Sequence, residues 1–351
     1  MLFRRKDRTS DTGTTAVAEP PNALSALSAD ELFSQIDALN DSNREKHSVE
    51  TERRLVQLRN LAGIQLIEAA ESGVEFATPD ESRLPSRSNG LPEFARDDVT
   101  PGLLRAGILR DGCVLVRGLI PRETAISFAE QIDQSFAERE LHDEGKRHDE
   151  SFYSEFTPDP RYGSEMARPW VKQGGGVLAA DAPMPSFNMF EMFRSAGLPE
   201  LVRGYLAEPP LIACQKTTLR KAEPQVPGAW HQDGKFMGPV RALNLWLSLS
   251  RCGDESPGLD IVPRRLDYLV TVNTEEAMLD YMISQQKAEE AAGDTEIIRP
   301  IFEPGDALLF DEMFLHKTGS DPSMPKPRFA IESWFFGPSA FAGEYAPLAV
   351  S

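Results

Sequence analysis

The segment Trp230-His231-Gln232-Asp233 constrains this chain more than any other stretch, because it places two metal-ligating side chains in a strand-like setting. It follows the strand-like run 211–219 and a turn rich in proline and glycine, and it precedes the apolar run 242–249. In a β-strand, residues i and i+2 point to the same face. The sequence therefore predicts that His231 and Asp233 lie side by side and bind one ion.

The spacing alone is a weak signal, because two other histidines are also followed by an acid two residues later. His142 and His148 lie in the charged run 141–150, which has no alternation and no apolar face. Such a run is typical of a solvated helix end or loop. For His231 and Asp233, a third ligand from a distant strand would complete the two-histidine, one-carboxylate set that leaves sites open on non-haem Fe(II). His316 is the candidate.

Length and charge narrow the class of protein. With 351 residues, 40% of them hydrophobic, the chain is long enough for one large domain with extensions. The 37 basic and 55 acidic residues give a net charge of −18, which argues against nucleic acid or an anionic membrane surface as a partner. The three cysteines are an odd number without metal-type spacing, so we predict a reduced, cytoplasmic protein without a membrane span.

Four segments are predicted along the chain. Residues 1–25 are expected to be a disordered tail, 26–92 an N-terminal helical extension and linker, 93–340 the main domain, and 341–351 a C-terminal tail. Ser28 and Glu31 form a capping-box pattern that opens a first, short helix, and a second helix is expected from near Asp41 or Ser42. The apolar stripe of the second helix docks on the main domain, and a homodimer through these helices is the alternative.

Periodicity and turn residues predict the elements of the main domain. Helices are expected over 103–109, 121–140, 198–207 and 274–292, and strands over 113–117, 211–220, 242–249, 259–262, 297–302, 306–310 and 328–336. Glu303-Pro304-Gly305 predicts a type II turn. Much of 141–195 lacks a period, and we predict a substrate lid or a plain surface loop there.

Arg328 opens the last of these strands. A buried arginine at such a position needs an anion, and a guanidinium suits a carboxylate because it donates two parallel hydrogen bonds. The alternative is a surface arginine at a strand entrance.

Several of these segments together resemble the phytanoyl-CoA dioxygenase family of Fe(II)/2-oxoglutarate-dependent oxygenases. They are Asp111 to Gly118, Lys216 to Arg220, Trp230 to Asp233, Pro257 to Leu259, and Pro304 to His316. The resemblance covers about residues 103–338. It implies a mainly β fold with flanking helices (α+β), in which a double-stranded β-helix (jelly-roll or cupin-like) core follows the N-terminal helical extension.

The resemblance also implies roles for individual residues. It assigns His231, Asp233 and His316 to the iron, Arg328 and Thr318 to the distal carboxylate of 2-oxoglutarate, and Trp246 with Gln215 or Thr217 to the wall of the cosubstrate pocket. Arg328 follows His316 by twelve residues, whereas better-known members have eleven, and we interpret the difference as a one-residue loop insertion.

The resemblance implies a dioxygenase that uses Fe(II), 2-oxoglutarate and O₂ and releases succinate and CO₂. We expect hydroxylation or desaturation of a small organic or lipid-like substrate, since related halogenases lack the acid at the position of Asp233. Arg264, Arg265 and Trp170 are candidate substrate contacts, with surface solvation the alternative for each arginine. A cupin-type metal enzyme without 2-oxoglutarate and a non-catalytic barrel module are the other interpretations.

Overall fold

The computed structural model describes residues 27–85, 90–162, 165–272, 282–343 and 345–351, so the predicted N-terminal tail lies outside the described residues. The described strands are β1 (Glu93–Ala95), β2 (Cys113–Arg117), β3 (Gly176–Leu178), β4 (Leu211–Ala222), β5 (Ala242–Ser248), β6 (Gly258–Ile261), β7 (Ala307–Phe310), β8 (His316–Gly319), β9 (Arg328–Phe336) and β10 (Pro347–Ala349). The described helices are α1 (Ala29–Glu45), α2 (Val49–Glu68), α3 (Pro101–Asp111), α4 (Arg122–Asp143), α5 (Arg168–Gln173), α6 (Pro183–Ser195), α7 (Leu198–Leu206), α8 (Gly234–Met237) and α9 (Gln285–Ala292).

The larger sheet has the strand order β1-β2-β7-β5-β9-β4-β10, and β3 also pairs with β4. Apart from the parallel pair β1 and β2, neighbouring strands are antiparallel. Alternation along each strand divides the side chains between two cores. On β9, Ile331 and Phe335 face a core that contains the helices α3 to α7, whereas Ala330 and Trp334 face the smaller sheet.

The smaller sheet consists of β6 and β8, paired antiparallel with Ile261 opposite His316. Leu259 and Ile261 pack against Trp246 and Trp334 of the larger sheet. The two sheets therefore enclose a core between them, as in a double-stranded β-helix, and helices flank the larger sheet. The predicted fold class is confirmed.

The helices α1 and α2 dock on this sheet structure. Ser28 caps α1, and its backbone N–H donates to the Glu31 carboxylate at 2.8 Å, so the predicted capping box is present. The second helix begins later than predicted, because Ser48 provides its N-cap. On α2, Leu58 is buried against residues of β4 and β10, and Arg59 donates to the Ala349 carbonyl at 2.9 Å.

Several predicted boundaries are wrong for identifiable reasons. Residues 341–351 are not a tail, because β10 pairs with β4 and is buried. Only isolated bridges at Ile298 and Phe302 occur where a strand was predicted over 297–302. Residues 183–195 are helical, since Pro183 and Pro185 occupy the first turn, where proline is tolerated.

Two other predictions concern a turn and a helix. The type II turn before β7 is confirmed by the Asp306 N–H donating to the Glu303 carbonyl at 3.0 Å and by a φ of 101° at Gly305. The helix predicted over 274–292 is seen only from Gln285, after the N-cap Ser284, and its predicted start lies outside the described residues.

None of the described helices has both the length and the apolar content of a membrane span.

Candidate metal centre

Three side chains that are far apart in sequence meet between the two sheets. One ligand atom each of His231, Asp233 and His316 lies within 4.8 Å of the other two. The His231 Nε2 to Asp233 Oδ1 distance is 3.9 Å, and the two imidazole centroids are 4.4 Å apart. Among the described residues this is the one group of three or more His, Cys, Asp or Glu side chains with such geometry.

Backbone pairing sets the positions of the two histidines. The His231 N–H donates to the His316 carbonyl at 3.0 Å, and the His316 N–H donates back to the His231 carbonyl at 3.2 Å. The two residues therefore face each other as an antiparallel bridge, one in the segment before α8 and one at the start of β8. His316 is the first residue of β8.

Asp233 reaches the site in a different way from the predicted one. It is the N-cap of α8, and its backbone is already helical, with φ −65° and ψ −25°. The i and i+2 rule for strands thus does not apply to His231 and Asp233. The chain turns at Asp233 and brings its carboxylate to His231 by the first turn of a helix.

Both imidazoles are held in one tautomer. His231 Nδ1 lies 2.8 Å from the Ala229 carbonyl, and His316 Nδ1 lies 3.1 Å from the Phe314 carbonyl. A carbonyl only accepts hydrogen bonds, so both Nδ1 atoms are protonated and donate. Each Nε2 keeps a lone pair for a metal, an arrangement that is common for metal-ligating histidines.

The charges at the site fit a divalent cation. Asp233 Oδ2 is buried and has no hydrogen-bond partner, which is costly unless a cation or a donor meets it. Burial, together with neighbouring His231, lowers the pKa of His316 to about 4, so its imidazole is neutral near pH 7 and available as a ligand. Two neutral imidazoles and a carboxylate are a donor set suited to non-haem Fe(II).

Gln232, between the ligands, fixes this segment to its surroundings. Its side-chain amide donates to the carbonyls of Tyr268 and Met313 at 3.1 and 2.7 Å, and its oxygen accepts from the Val270 N–H at 2.7 Å. The residue is 1% exposed. Such outer contacts restrict the orientation of the neighbouring ligand side chains.

Arg328 lies on the face of β9 that points between the two sheets, the space that also holds the metal centre. It is 3% exposed, its Nη1 donates to the Gly258 carbonyl at 3.0 Å, and its Nε has no hydrogen-bond partner. Burial lowers the pKa of Arg328 to about 10, which still leaves it charged at neutral pH. Its guanidinium carbon lies 5.1 Å from the ring centroid of Trp246. A buried cation with an unpaired donor fits the carboxylate of a diacid such as 2-oxoglutarate.

Asn244 is a pocket residue that the sequence analysis missed. It lies two residues before Trp246 on β5 and is fully buried, and neither its Nδ2 nor its Oδ1 has a partner. Its cross-strand neighbours are Phe310 and Trp334. A buried amide with both polar atoms free indicates a polar ligand, but one asparagine in an apolar run carries no sequence signal for that role.

The other predicted cosubstrate contacts differ in their positions. Thr318 shares a face of β8 with His316 by alternation. Thr217 does not reach the pocket, because its hydroxyl lies 3.1 Å from that of Ser333, on the opposite face of the sheet. Gln215 holds the backbone instead, donating to the Glu165 carbonyl at 3.1 Å and accepting from the Ala346 N–H at 2.9 Å.

The three predicted substrate contacts, Arg264, Arg265 and Trp170, have different surroundings. Arg264 donates to the Ala292 carbonyl at 3.1 Å. Arg265 is paired with Asp311 and Asp267, so its charge is already compensated. Trp170 is 48% exposed, and its ring centroid lies 5.9 Å from the ammonium of Lys216. Trp170 thus approaches Lys216, which lies on the wall of the metal cavity.

That wall includes charged residues that the sequence analysis did not select. Lys216, Thr218 and Arg220 alternate along β4, and Thr218 lies opposite Glu332 of β9. The Arg220 Nε donates to the Glu332 carboxylate at 2.9 Å. Burial lowers the pKa of Lys216, although Asp233 and Glu332 oppose that shift. The signal that identifies these residues is the cross-strand register, which exists only in the folded sheet.

Fold and site together define a class: a metal enzyme with two histidines and one carboxylate on a double-stranded β-helix. A family model for phytanoyl-CoA dioxygenase matches residues 108–328, well over half of the chain. The chain belongs to the phytanoyl-CoA dioxygenase family and is a non-haem Fe(II)/2-oxoglutarate-dependent enzyme. No curated protein matches it in a sequence comparison.

Three solved structures with a similar fold are AviO1, EctD and SnoK. AviO1 from Streptomyces viridochromogenes Tue57 is 18% identical, with 66% of this chain and 93% of that chain covered and a TM-score of 0.41. EctD from S. alaskensis, solved with 2-oxoglutarate and 5-hydroxyectoine, is 15% identical over 80% and 95% of the chains, with a TM-score of 0.48. The carbocyclase SnoK from nogalamycin biosynthesis is 13% identical over 70% and 87%, with a TM-score of 0.44.

Proposed function

We propose that this enzyme hydroxylates or desaturates a small organic or lipid-like substrate, with 2-oxoglutarate converted to succinate and CO₂. The observation that carries the proposal is the buried His231, Asp233 and His316 cluster with an orphaned carboxylate oxygen, together with the unpaired guanidinium nitrogen of Arg328 on the same side of the larger sheet. One group of atoms suits the metal, and the other suits the anionic cosubstrate.

The protein side chains divide the work of binding. His231 and His316 offer Nε2 to the iron, because their Nδ1 atoms are engaged by carbonyls. Asp233 supplies the one anionic ligand. Arg328 donates to the distal carboxylate of 2-oxoglutarate, with Thr318 as a neighbouring hydroxyl and Asn244 as a further donor within the buried wall.

When bound, iron and 2-oxoglutarate supply the oxidising power, taken from O₂ as the cosubstrate is decarboxylated. The protein keeps the surroundings dry. Phe310 and Phe314 lie against the His316 ring, with centroids 4.9 and 5.8 Å away, and Trp246 covers Arg328. Such apolar walls exclude water and confine the reaction to a substrate that fits the cavity.

Anaerobic titration with Fe(II) and then 2-oxoglutarate tests the proposal. Wild-type protein should develop the visible charge-transfer band of the iron chelate, and His231→Ala and Asp233→Ala should not. His148→Ala is the matched control, since an acid also follows this histidine two residues later in an exposed loop, and it should keep the band. No band in the wild type, or an unchanged band in His231→Ala, would reject the proposal.

Other predictions about the protein's setting stay predictions. All three cysteines are free and buried, and the reduced, cytoplasmic location stays a prediction. The docking of α1 and α2 on their own chain uses their apolar stripe, and a homodimer through these helices remains to be tested by measuring the mass in solution.

A further inference from the structure

Lys216 is a cation in the metal cavity for which the proposed roles have no use. Its Nζ has no hydrogen bond and no ion pair among the residues that the structure describes, although Arg220 on the same strand is paired with Glu332. Desolvating an ammonium is costly unless something compensates it. The Lys216 ammonium is therefore expected to meet a compensating group when the site is occupied.

Aromatic rings from three separate segments surround the Lys216 ammonium. The ring centroids of Phe236, Tyr345 and Trp170 lie 3.9, 5.6 and 5.9 Å from Nζ. Phe236 is in α8, directly after the metal ligand Asp233. Ring faces attract a cation, but they do not neutralise it. Since Trp170 is 48% exposed, this aromatic enclosure extends from the metal ligands to the surface.

A second unpaired polar group lies next to Lys216 on the same face. The Thr218 hydroxyl belongs to a residue that is 6% exposed and has no hydrogen-bond partner. Thr218 lies opposite Glu332, and so its side chain points to the cavity side of the sheet. A buried, unsatisfied hydroxyl beside an uncompensated ammonium indicates a ligand that accepts hydrogen bonds.

The charges of the loaded site lead to the same conclusion, on the basis of the proposed function. Divalent iron, Asp233, the 2-oxoglutarate dianion and Arg328 together carry no net charge. Arg220 and Glu332 compensate each other. Lys216 is then the one uncompensated charge among these groups, which matches a substrate with a single negative charge.

We propose that Lys216 and Thr218 bind the carboxylate of a monocarboxylic acid substrate, whose apolar part packs against Phe236, Tyr345 and Trp170. The acid group is held on β4 while the apolar part extends past α8 toward the iron. A large polyanion is disfavoured, because the enclosure offers one uncompensated cation and three aromatic rings.

Calorimetric binding of acids and their amides tests this proposal. Phenylacetate, 3-phenylpropionate, hexanoate and octanoate are each compared with the neutral amide of the same skeleton, in anaerobic protein with Fe(II) and 2-oxoglutarate and again in metal-free protein. At least one acid should bind about 10- to 100-fold more tightly than its amide, the range expected for a charge-assisted hydrogen bond. Lys216→Met should remove the preference, and Lys216→Arg should keep part of it.

Lys221→Met is the matched control. Lys221 is on the same strand but pairs with Asp133 at 2.6 Å, so its removal should leave the preference for acids unchanged. The iron chelate band should persist in every variant. If no acid binds more tightly than its amide, or if Lys216→Met keeps the preference or loses the chelate, the proposal is wrong.

Failure of the proposed function would look different. It would appear as a missing chelate band in the wild type, and the acid and amide comparison in metal-free protein would still decide the role of Lys216.

Discussion

Arg328 is buried without an ion pair among the described residues, at a position where an isolated charge is costly. One of its nitrogens binds the Gly258 carbonyl, and another has no partner. A fold that keeps such a group gains from it only when an anion binds. At the scale of single residues, an unsatisfied buried atom such as the Arg328 Nε thus adds to residue type as an indication of a ligand position.

Replacement of Arg328 tests this at one residue. Arg328→Met should weaken 2-oxoglutarate binding about 10- to 100-fold or more, because charge-assisted hydrogen bonds to the carboxylate are lost. Fe(II) affinity should stay close to that of the wild type, since the metal ligands are untouched. The measurement is the 2-oxoglutarate dependence of the chelate band.

Arg122→Met provides the control for Arg328→Met. Arg122 is an exposed arginine at the start of α4, paired with Glu303, and its loss should leave 2-oxoglutarate binding unchanged. An equal loss of Fe(II) affinity in Arg328→Met would show that the arginine supports the fold of the whole site instead of binding the diacid.

At the scale of elements, strand β4 shows how alternation assigns neighbouring residues to different functions. The Thr217 hydroxyl lies within hydrogen-bond distance of the Ser333 hydroxyl in the helix-facing core, whereas Lys216 and Thr218 face the metal cavity. The sequence predicts a strand here correctly, yet 12 residues in a half-polar run do not indicate which face is which. A register shift between Ile212 and Thr217 adds to this ambiguity, because β4 there has three more residues than β9, and an odd number of extra residues exchanges the two faces.

Thr217→Val should therefore affect stability and not cosubstrate binding. Loss of the buried hydrogen bond to Ser333 should lower the free energy of unfolding by about 1 kcal/mol, with an unchanged 2-oxoglutarate dissociation constant. Thr218→Val removes a hydroxyl that has no partner and should change stability by less than about 0.5 kcal/mol. Urea unfolding and chelate titration of both variants provide the comparison. If Thr217→Val weakened 2-oxoglutarate binding, Thr217 would have to contact the cosubstrate, and this prediction would be wrong.

At the scale of the whole molecule, the N-terminal extension is part of the folded unit. Leu58 of α2 is fully buried, in a cluster with Leu211 of β4 and Ala349 of β10. The first described helices and the last strand thus share one core, so the enzyme domain does not end where the matched family region ends. Residues 341–351 were predicted as a tail because three residues of strand carry too short a pattern to recognise.

Leu58→Ala tests this packing. Removal of a fully buried leucine side chain should lower the free energy of unfolding by about 2–5 kcal/mol. Leu109→Ala, at a leucine that is 37% exposed on α3, should change it by less than about 1 kcal/mol. Both are measured by urea unfolding followed by circular dichroism. If Leu58→Ala left the free energy of unfolding unchanged, α2 would not be docked on the sheet.

The sequence by itself determined the local features of this protein. A short apolar run defines β2 and a period-two run defines β9 to the residue, the Ser28 and Glu31 pair defines the start of α1, and proline with glycine defines the turn before β7. These predictions succeed because each depends on neighbours within a few positions. The candidate ligands His231, Asp233 and His316 also followed from residue type and spacing, supported by the family resemblance.

Only the tertiary structure decided how those residues meet and which others join them. The pairing of His231 with His316 and the cavity positions of Lys216 and Asn244 depend on strand register between segments far apart in the chain. The helical backbone of Asp233 likewise became visible only in the structure. The same is true of Arg264 and Arg265, whose partners lie on distant segments. Burial and charge compensation are properties of assembled neighbours, so no local pattern in the chain encodes them.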